Sequence, residues 1–125
     1  MTLEETLQHL KALSSLTRFR IMNLLYENPG NGISPHKLVD ILEVSKSNIS
    51  RHAKILYKAN LILEIKDGKY AYYFLNRNLK PKGILAILKE FKQHPTLKKD
   101  LKKLAKQGGS WLVRRTTLAR SARSL

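Results

Sequence analysis

The feature that most restricts this fold is a change of period at Leu61. Leu61, Leu63 and Ile65 alternate with other residues, Asp67-Gly68 follows, and Tyr70, Tyr72 and Phe74 alternate on the far side. Asp-Gly between two alternating runs is the strongest short-range hairpin signal, because the tight turn needs positive φ, which glycine adopts without steric cost. With Asp67-Gly68 as the two central turn residues, Ile65 faces Tyr70, Leu63 faces Tyr72 and Leu61 faces Phe74, all on one side of the ribbon. The same register sets Lys66 against Lys69 at the tip, a like-charge pair that a bound phosphate would relieve.

Everything else in the first 107 residues reads as helix. Thr2-Leu3-Glu4-Glu5 has capping-box spacing, and Leu3, Leu7, Leu10 and Leu13 follow at helical intervals up to Ser14-Ser15. Thr17 is placed to cap a second helix carrying Ile21, Leu24 and Leu25, which Asn28-Pro29-Gly30 stops. Ser34-Pro35 puts a cap before a proline at the first helical position and opens a short third helix through Leu38, Ile41 and Leu42. Ser45 caps a fourth, running to about Ala59, with Ile49, Ala53 and Leu56 on one face. Past Pro81, Ile84, Leu85, Ile87, Leu88 and Phe91 restore the helical period, and Thr96 opens a last helix with Leu97, Leu101 and Leu104. The expected fold is mainly α with a two-stranded β-hairpin wing (α+β), in the order α-α-α-α-β-β-α-α.

Twenty-four Lys and Arg stand against nine Asp and Glu, a formal charge of +15 in 125 residues, while 42% of the chain is hydrophobic. So much positive charge on a foldable body calls for an anionic partner. The absence of cysteine removes disulfides, thiolate metal sites and cysteine nucleophiles. No apolar run is long enough to span a membrane, and Met1 to Leu10 lacks the apolar core of a signal peptide, so a cytoplasmic protein without a membrane partner is expected. Residues 108–125 open with Gly108-Gly109-Ser110, hold the one Trp and contain arginines but no lysine. This compositional break divides the chain into a folded domain at 1–107 and a tail at 108–125, either disordered or vector-derived.

Two short adjacent helices followed at once by a hairpin are the layout of a winged helix-turn-helix, in which the second helix enters the DNA major groove. Ser45, Lys46, Ser47, Asn48, Ser50, Arg51 and Lys54 crowd short or forked donors into the first turns of that helix. Arg grips guanine bidentately and Asn does the same for adenine, so Ser47, Asn48 and Arg51 are the expected base readers. Ser45, Lys46, Lys54, Lys66, Lys69 and Tyr70 are expected to position the duplex through its phosphates, with Ser34 and His36 touching the backbone. Catalysis is not expected. No histidine has a nucleophile at motif spacing, no glycine-rich phosphate loop is present, and the carboxylates are scattered.

Residues 10–75 resemble the bacterial ArsR/SmtB regulator family. The likeness lies in Leu10-Lys11-Ala12-Leu13, in Leu16-Thr17-Arg18-Phe19-Arg20-Ile21, in the run from Val44 to Leu56, and in Gly68-Lys69-Tyr70-Ala71-Tyr72-Tyr73-Phe74-Leu75. The resemblance implies a homodimeric repressor on a double-stranded DNA operator, dimerising through the first helix and the helices after the wing. Leu3, Leu7, Leu10, Ile84, Ile87, Leu88 and Phe91 are the matching apolar positions. In arsenic-sensing members the third helix begins with Cys-Val-Cys, whereas this chain has Ser34 and His36 there, a poor set for a soft metal. At the family's other metal site this chain offers Glu90, His94 and Asp100, in which Glu90 and His94 alone have a helical i, i+4 spacing. No metal or other cofactor is therefore expected, His9 is expected at the surface, and the inducer is unknown. The competing readings are a winged-helix protein-interaction module and a structured-RNA-binding factor, in which hairpin tyrosines would stack on bases.

Overall fold

In the computed structural model, which describes residues 1–79 and 83–107, six helices accompany one two-stranded antiparallel hairpin. The helices are α1 (Leu3–Leu13), α2 (Leu16–Tyr26), α3 (Pro35–Leu42), α4 (Lys46–Lys58), α5 (Ile84–Glu90) and α6 (Pro95–Gln107). The strands are β1 (Ile62–Asp67) and β2 (Tyr70–Leu75). The expected element order is present; the expected 108–125 tail lies outside the described residues.

Local chemistry accounts for most boundaries. Thr2 and Glu5 form the reciprocal capping box of α1. Ser34 caps α3 ahead of Pro35, and Ser45 caps α4. Two caps differ from expectation. Ser15, not Thr17, accepts the Arg18 N–H and starts α2 two residues earlier. His94, not Thr96, precedes α6: its Nδ1 accepts the Thr96 N–H and its carbonyl accepts the Lys98 N–H. A ring nitrogen thus fills the role usually taken by a hydroxyl or carboxylate oxygen.

The hairpin is shifted by two residues from the expected pairing. Leu63 faces Phe74, Ile65 faces Tyr72, Lys66 faces Ala71 and Asp67 faces Tyr70. The central turn residues are Gly68 and Lys69, with positive φ at Gly68 alone, which is the residue order of a type II′ turn. Lys66 and Lys69 are therefore not opposed. A shift of two preserves which side chains share a face, and Leu63, Ile65, Tyr72 and Phe74 do form one small cluster. The opposite face, with Ile62, Tyr73 and Leu75, joins the main core. Ile33 adds a one-residue bridge on the free edge of β2 by exchanging two hydrogen bonds with Tyr73. Gly32 permits that approach, since a Cβ there would lie 2.7 Å from the Phe74 ring.

The main core is centred on Ile21, Met22, Leu24 and Leu25 of α2, with Leu38 and Ile41 of α3 and Ile49 and Leu56 of α4. His9 is buried against it instead of lying at the surface, and its Nδ1 has no partner among the described residues. Ile84 and Leu88 are also consumed inside the chain and Ile87 is half-buried, so the expected apolar stripe of α5 divides. Phe91 stays half exposed, edge-on to Phe19 with ring centroids 6.0 Å apart. Leu3, Leu7 and Leu10 remain exposed.

α6 lies across α2 and α3 and is fastened by polar contacts. Arg20 donates two hydrogen bonds, both 2.9 Å, to the Asp100 carboxylate, which is 1% exposed. Lys103 Nζ donates to the Ile41 carbonyl and to Glu43, and Lys37 Nζ donates to the Gln107 carbonyl. These contacts run α6 antiparallel to α3.

Candidate nucleic-acid interface

Ser45 organises the start of α4. Its Oγ accepts the Asn48 N–H and lies 3.3 Å from the Ser47 hydroxyl. From that cap, Ile49, Ala53 and Leu56 turn into the core on a helical period. The intervening Lys46, Ser47, Asn48, Ser50, Arg51 and Lys54 are all exposed, as is Ser45. Arg51 donates to Asn48 Oδ1 at 3.1 Å, so two of the three expected base readers are already joined in the free chain. One contact holds the guanidinium toward the Asn48 side and limits its rotamer search.

Behind this face, the buried edge of α4 carries a polar link. Arg18 of α2 donates from Nε to the Ala12 carbonyl, and its Nη1 lies 3.1 Å from His52 Nδ1. Arginine has no acceptor, so His52 Nδ1 supplies the lone pair and the ring is the neutral Nε2–H tautomer. Burial first, then the neighbouring cations Arg18 and Arg51, lowers the His52 pKa and maintains that neutral form. His52 is thus placed by the structure as a strut between α4 and the end of α1. The sequence alone carries no signal for this contact.

The wing and the start of α3 extend the face. Ser34, His36, Lys46, Lys69 and Tyr70, five of the expected contact residues, line a single open groove of about 820 Å³. Pro35, Lys37, Asp40, Ala71, Tyr72 and Gln107 complete it. Lys37 and Gln107 are members that sequence reading missed. Asp40, whose carboxylate lies 3.6 Å from His36 Nε2, supplies the acid of the groove. Lys69 Nζ stands 5.5 Å from the centre of the Tyr70 ring, a cation–π distance. Lys66 is exposed on β1. Tyr72 is buried, which leaves Tyr70 as the more accessible of the two tyrosines considered for stacking.

Among the described residues, no group of three or more His, Cys, Asp or Glu is placed to hold a metal ion. Glu90 and His94 do not share a helix, because α5 ends at Glu90 and the His94 ring caps α6. Among the described residues, no helix is long and apolar enough to cross a membrane.

Comparison with known proteins agrees with this geometry. Residues 15–63, from the α2 cap to the start of the wing, match the family model described as bacterial regulatory protein, arsR family. The transcriptional repressor SdpR of Bacillus subtilis is 35% identical over 66 residues, covering 53% of this chain and 70% of that protein. The arsenical resistance operon repressor of Bacillus subtilis is 39% identical over 69 residues, covering 55% and 64% respectively. Among solved structures, reduced HlyU from Vibrio cholerae superposes with a TM-score of 0.59 at 23% identity, over 72% of this chain and 87% of that one. That likeness speaks for the fold, while sequence identity to SdpR across most of its length reaches further. With the helix pair, the wing and the exposed donor face in place, the chain belongs to the arsR family of bacterial regulatory proteins, DNA-binding transcriptional regulators built on a winged helix.

Proposed function

We propose that this protein is a homodimeric repressor that occupies a DNA operator, with α4 in the major groove and the wing on the adjacent backbone. The observation that carries the proposal is the division of α4: Ser45, Lys46, Ser47, Asn48, Ser50, Arg51 and Lys54 face solvent, while Ile49, Ala53 and Leu56 go to the core. Ser47, Asn48 and Arg51 read base edges, and the Asn48–Arg51 hydrogen bond pre-positions the pair. Ser45, Lys46, Ser50, Lys54, Lys66, Lys69 and Tyr70 hold phosphates and set the register, with Ser34 and His36 reaching the backbone from the mouth of the groove. Phosphate contact follows from charge alone, but base discrimination requires the fixed Asn and Arg.

Dimerisation is supported by the exposed leucines of α1. Leu3 is 70%, Leu7 54% and Leu10 44% exposed, on the face of the helix opposite Ala12. Phe91 adds a half-exposed ring beyond α5. A lone chain has no use for this apolar surface, and a twofold partner would cover it with its own copy. Both of the Bacillus subtilis relatives described above are repressors.

Selection of binding sites from random duplexes tests the reading directly. A dimer should recover an inverted repeat with half-sites about one helical turn or somewhat more apart. Against that duplex, Arg51→Ala should cost roughly 1–3 kcal/mol and relax preference at one position of each half-site. Recovery of no consensus, or unchanged discrimination by the variant, defeats the assignment.

A further inference from the structure

We propose that the lysine face of α6 is a second DNA surface, which holds the phosphate backbone of duplex flanking the base-reading site. This rests on the operator reading above and extends its footprint. α6 turns Leu97, Asp100 and Leu104 inward and leaves Lys98, Lys99, Lys102 and Lys106 exposed. The inward polar groups are committed, Asp100 to Arg20 and Lys103 to Glu43 and the Ile41 carbonyl. None of the four outward lysines belongs to an ion pair among the described residues.

An ordinary solvated helix face intersperses acids with bases. This one has a single acid between Pro95 and Gln107, and that acid is buried. Lys98 with Lys102 and Lys102 with Lys106 are i, i+4 neighbours, and Lys99 with Lys102 are i, i+3 neighbours, spacings at which like charges destabilise a helix. The free protein therefore carries a repulsion, eased at Lys99 by the charge of Glu43, that a polyanion would turn into attraction. Lys98, Lys99 and Lys102 also border one shallow groove of about 330 Å³ with Gln93 and Pro95.

Position selects duplex DNA as the polyanion. α6 runs antiparallel to α3, and Gln107 at its end lines the same groove as Ser34, Lys46 and Lys69. The C-terminal end of α6 thus abuts the proposed operator surface, and the helix that carries the lysines leads away from it. Thirteen helical residues span about 20 Å, the rise of about six base pairs at 3.4 Å each. Lysine on a long stem is a point charge with no fork for base edges, so this surface adds affinity and no sequence preference.

The test compares a selected operator as a minimal duplex with the same operator carrying ten further base pairs on each side, titrated over a range of salt. The wild-type protein should show a steeper dependence of log affinity on log salt for the long duplex. Lys98, Lys99, Lys102 and Lys106 changed together to Gln, which matches Lys in helix propensity, should remove that excess, about 3.6 in slope per protomer at most if all four lysines contact phosphate, and so about 7 for the dimer. Binding of the variant to the minimal duplex should keep the wild-type sequence discrimination. Equal wild-type slopes on the two lengths, or an excess that survives in the variant, overturns the flank proposal alone. Failure of the wild type to discriminate sequence on the minimal duplex overturns the operator reading, and the flank proposal with it.

Discussion

Helices α4 and α6 are both 13 residues long, and both carry a buried apolar edge beneath an exposed basic one. Their exposed sides differ in kind. α4 sets serine, asparagine and arginine, on short or planar side chains, among its lysines, with Arg51 tied to Asn48. α6 presents lysine. Their anchoring differs as well. α4 is seated mainly by Ile49, Ala53 and Leu56, with one neutral histidine as its polar strut, whereas α6 adds a buried bidentate ion pair and two ammonium-to-carbonyl clamps. The contrast teaches that reading a base and gripping a backbone ask for different side chains even when net charge is similar. Few degrees of freedom favour discrimination; a flexible stem favours contact with a uniform rail of phosphates.

The anchoring difference can be broken experimentally. Arg20→Ala leaves Asp100, 1% exposed, without its partner, and stability should fall by about 3–5 kcal/mol in urea unfolding. Replacing the pair together, Arg20→Met with Asp100→Leu, should restore most of that loss. A single-variant loss below about 1 kcal/mol would mean that water reaches the carboxylate and that α6 is held by its leucines after all. On the α4 side, Leu56→Ala should cost about 2–5 kcal/mol through the lost side chain and its cavity, with no change between low and high salt. A strong salt dependence of that loss would erase the distinction between the two seats.

The smallest expected effect is in pH. The His52 pKa is lowered in the folded chain, so the unfolded chain takes up the proton more readily. Stability contributed by the neutral ring is present above the ordinary histidine value of about 6.5 and is lost as pH falls below it. Protonation converts the acceptor of Arg18 into a donor, and the strut opens. Glu43, lowered first by its hydrogen bond from Lys103 and then by that lysine's charge, loses its contribution only as pH falls below the ordinary carboxylate range. Urea titrations at a series of pH values should therefore show the α4 strut failing before the α6 clamp. His52→Gln should flatten the upper of the two slopes, and an unaltered slope would assign it to another group.

Much of this arrangement was legible in the sequence because it rests on local chemistry. The caps at Thr2, Ser34 and Ser45 and the donor-rich side of α4 all follow from residues within four positions of one another. The hairpin shows where local reading stops. Asp67-Gly68 announces a turn, but glycine can serve as the second central residue or the first, and the two choices differ by two in register. Parity survives that slip, so the shared face was readable and the Lys66–Lys69 opposition was not. Features set by distant partners left no local trace. Arg20 and Asp100 are 80 residues apart, and the inward turn of His9, Ile84 and Leu88 depends on how whole helices settle on one another.

The elbow between α3 and α4 has one further consequence. Glu43 occupies the left-handed region at φ 57, where glycine is the usual occupant. A single ammonium from Lys103 reaches both its carboxylate and the Ile41 carbonyl, bracketing the bend from outside. The helix-turn-helix is therefore not a cassette. A chimera that grafts residues 35–58 onto a foreign scaffold would import the hinge while leaving its brace behind, and the angle at which the grafted reading helix is presented would have to be re-established by the recipient.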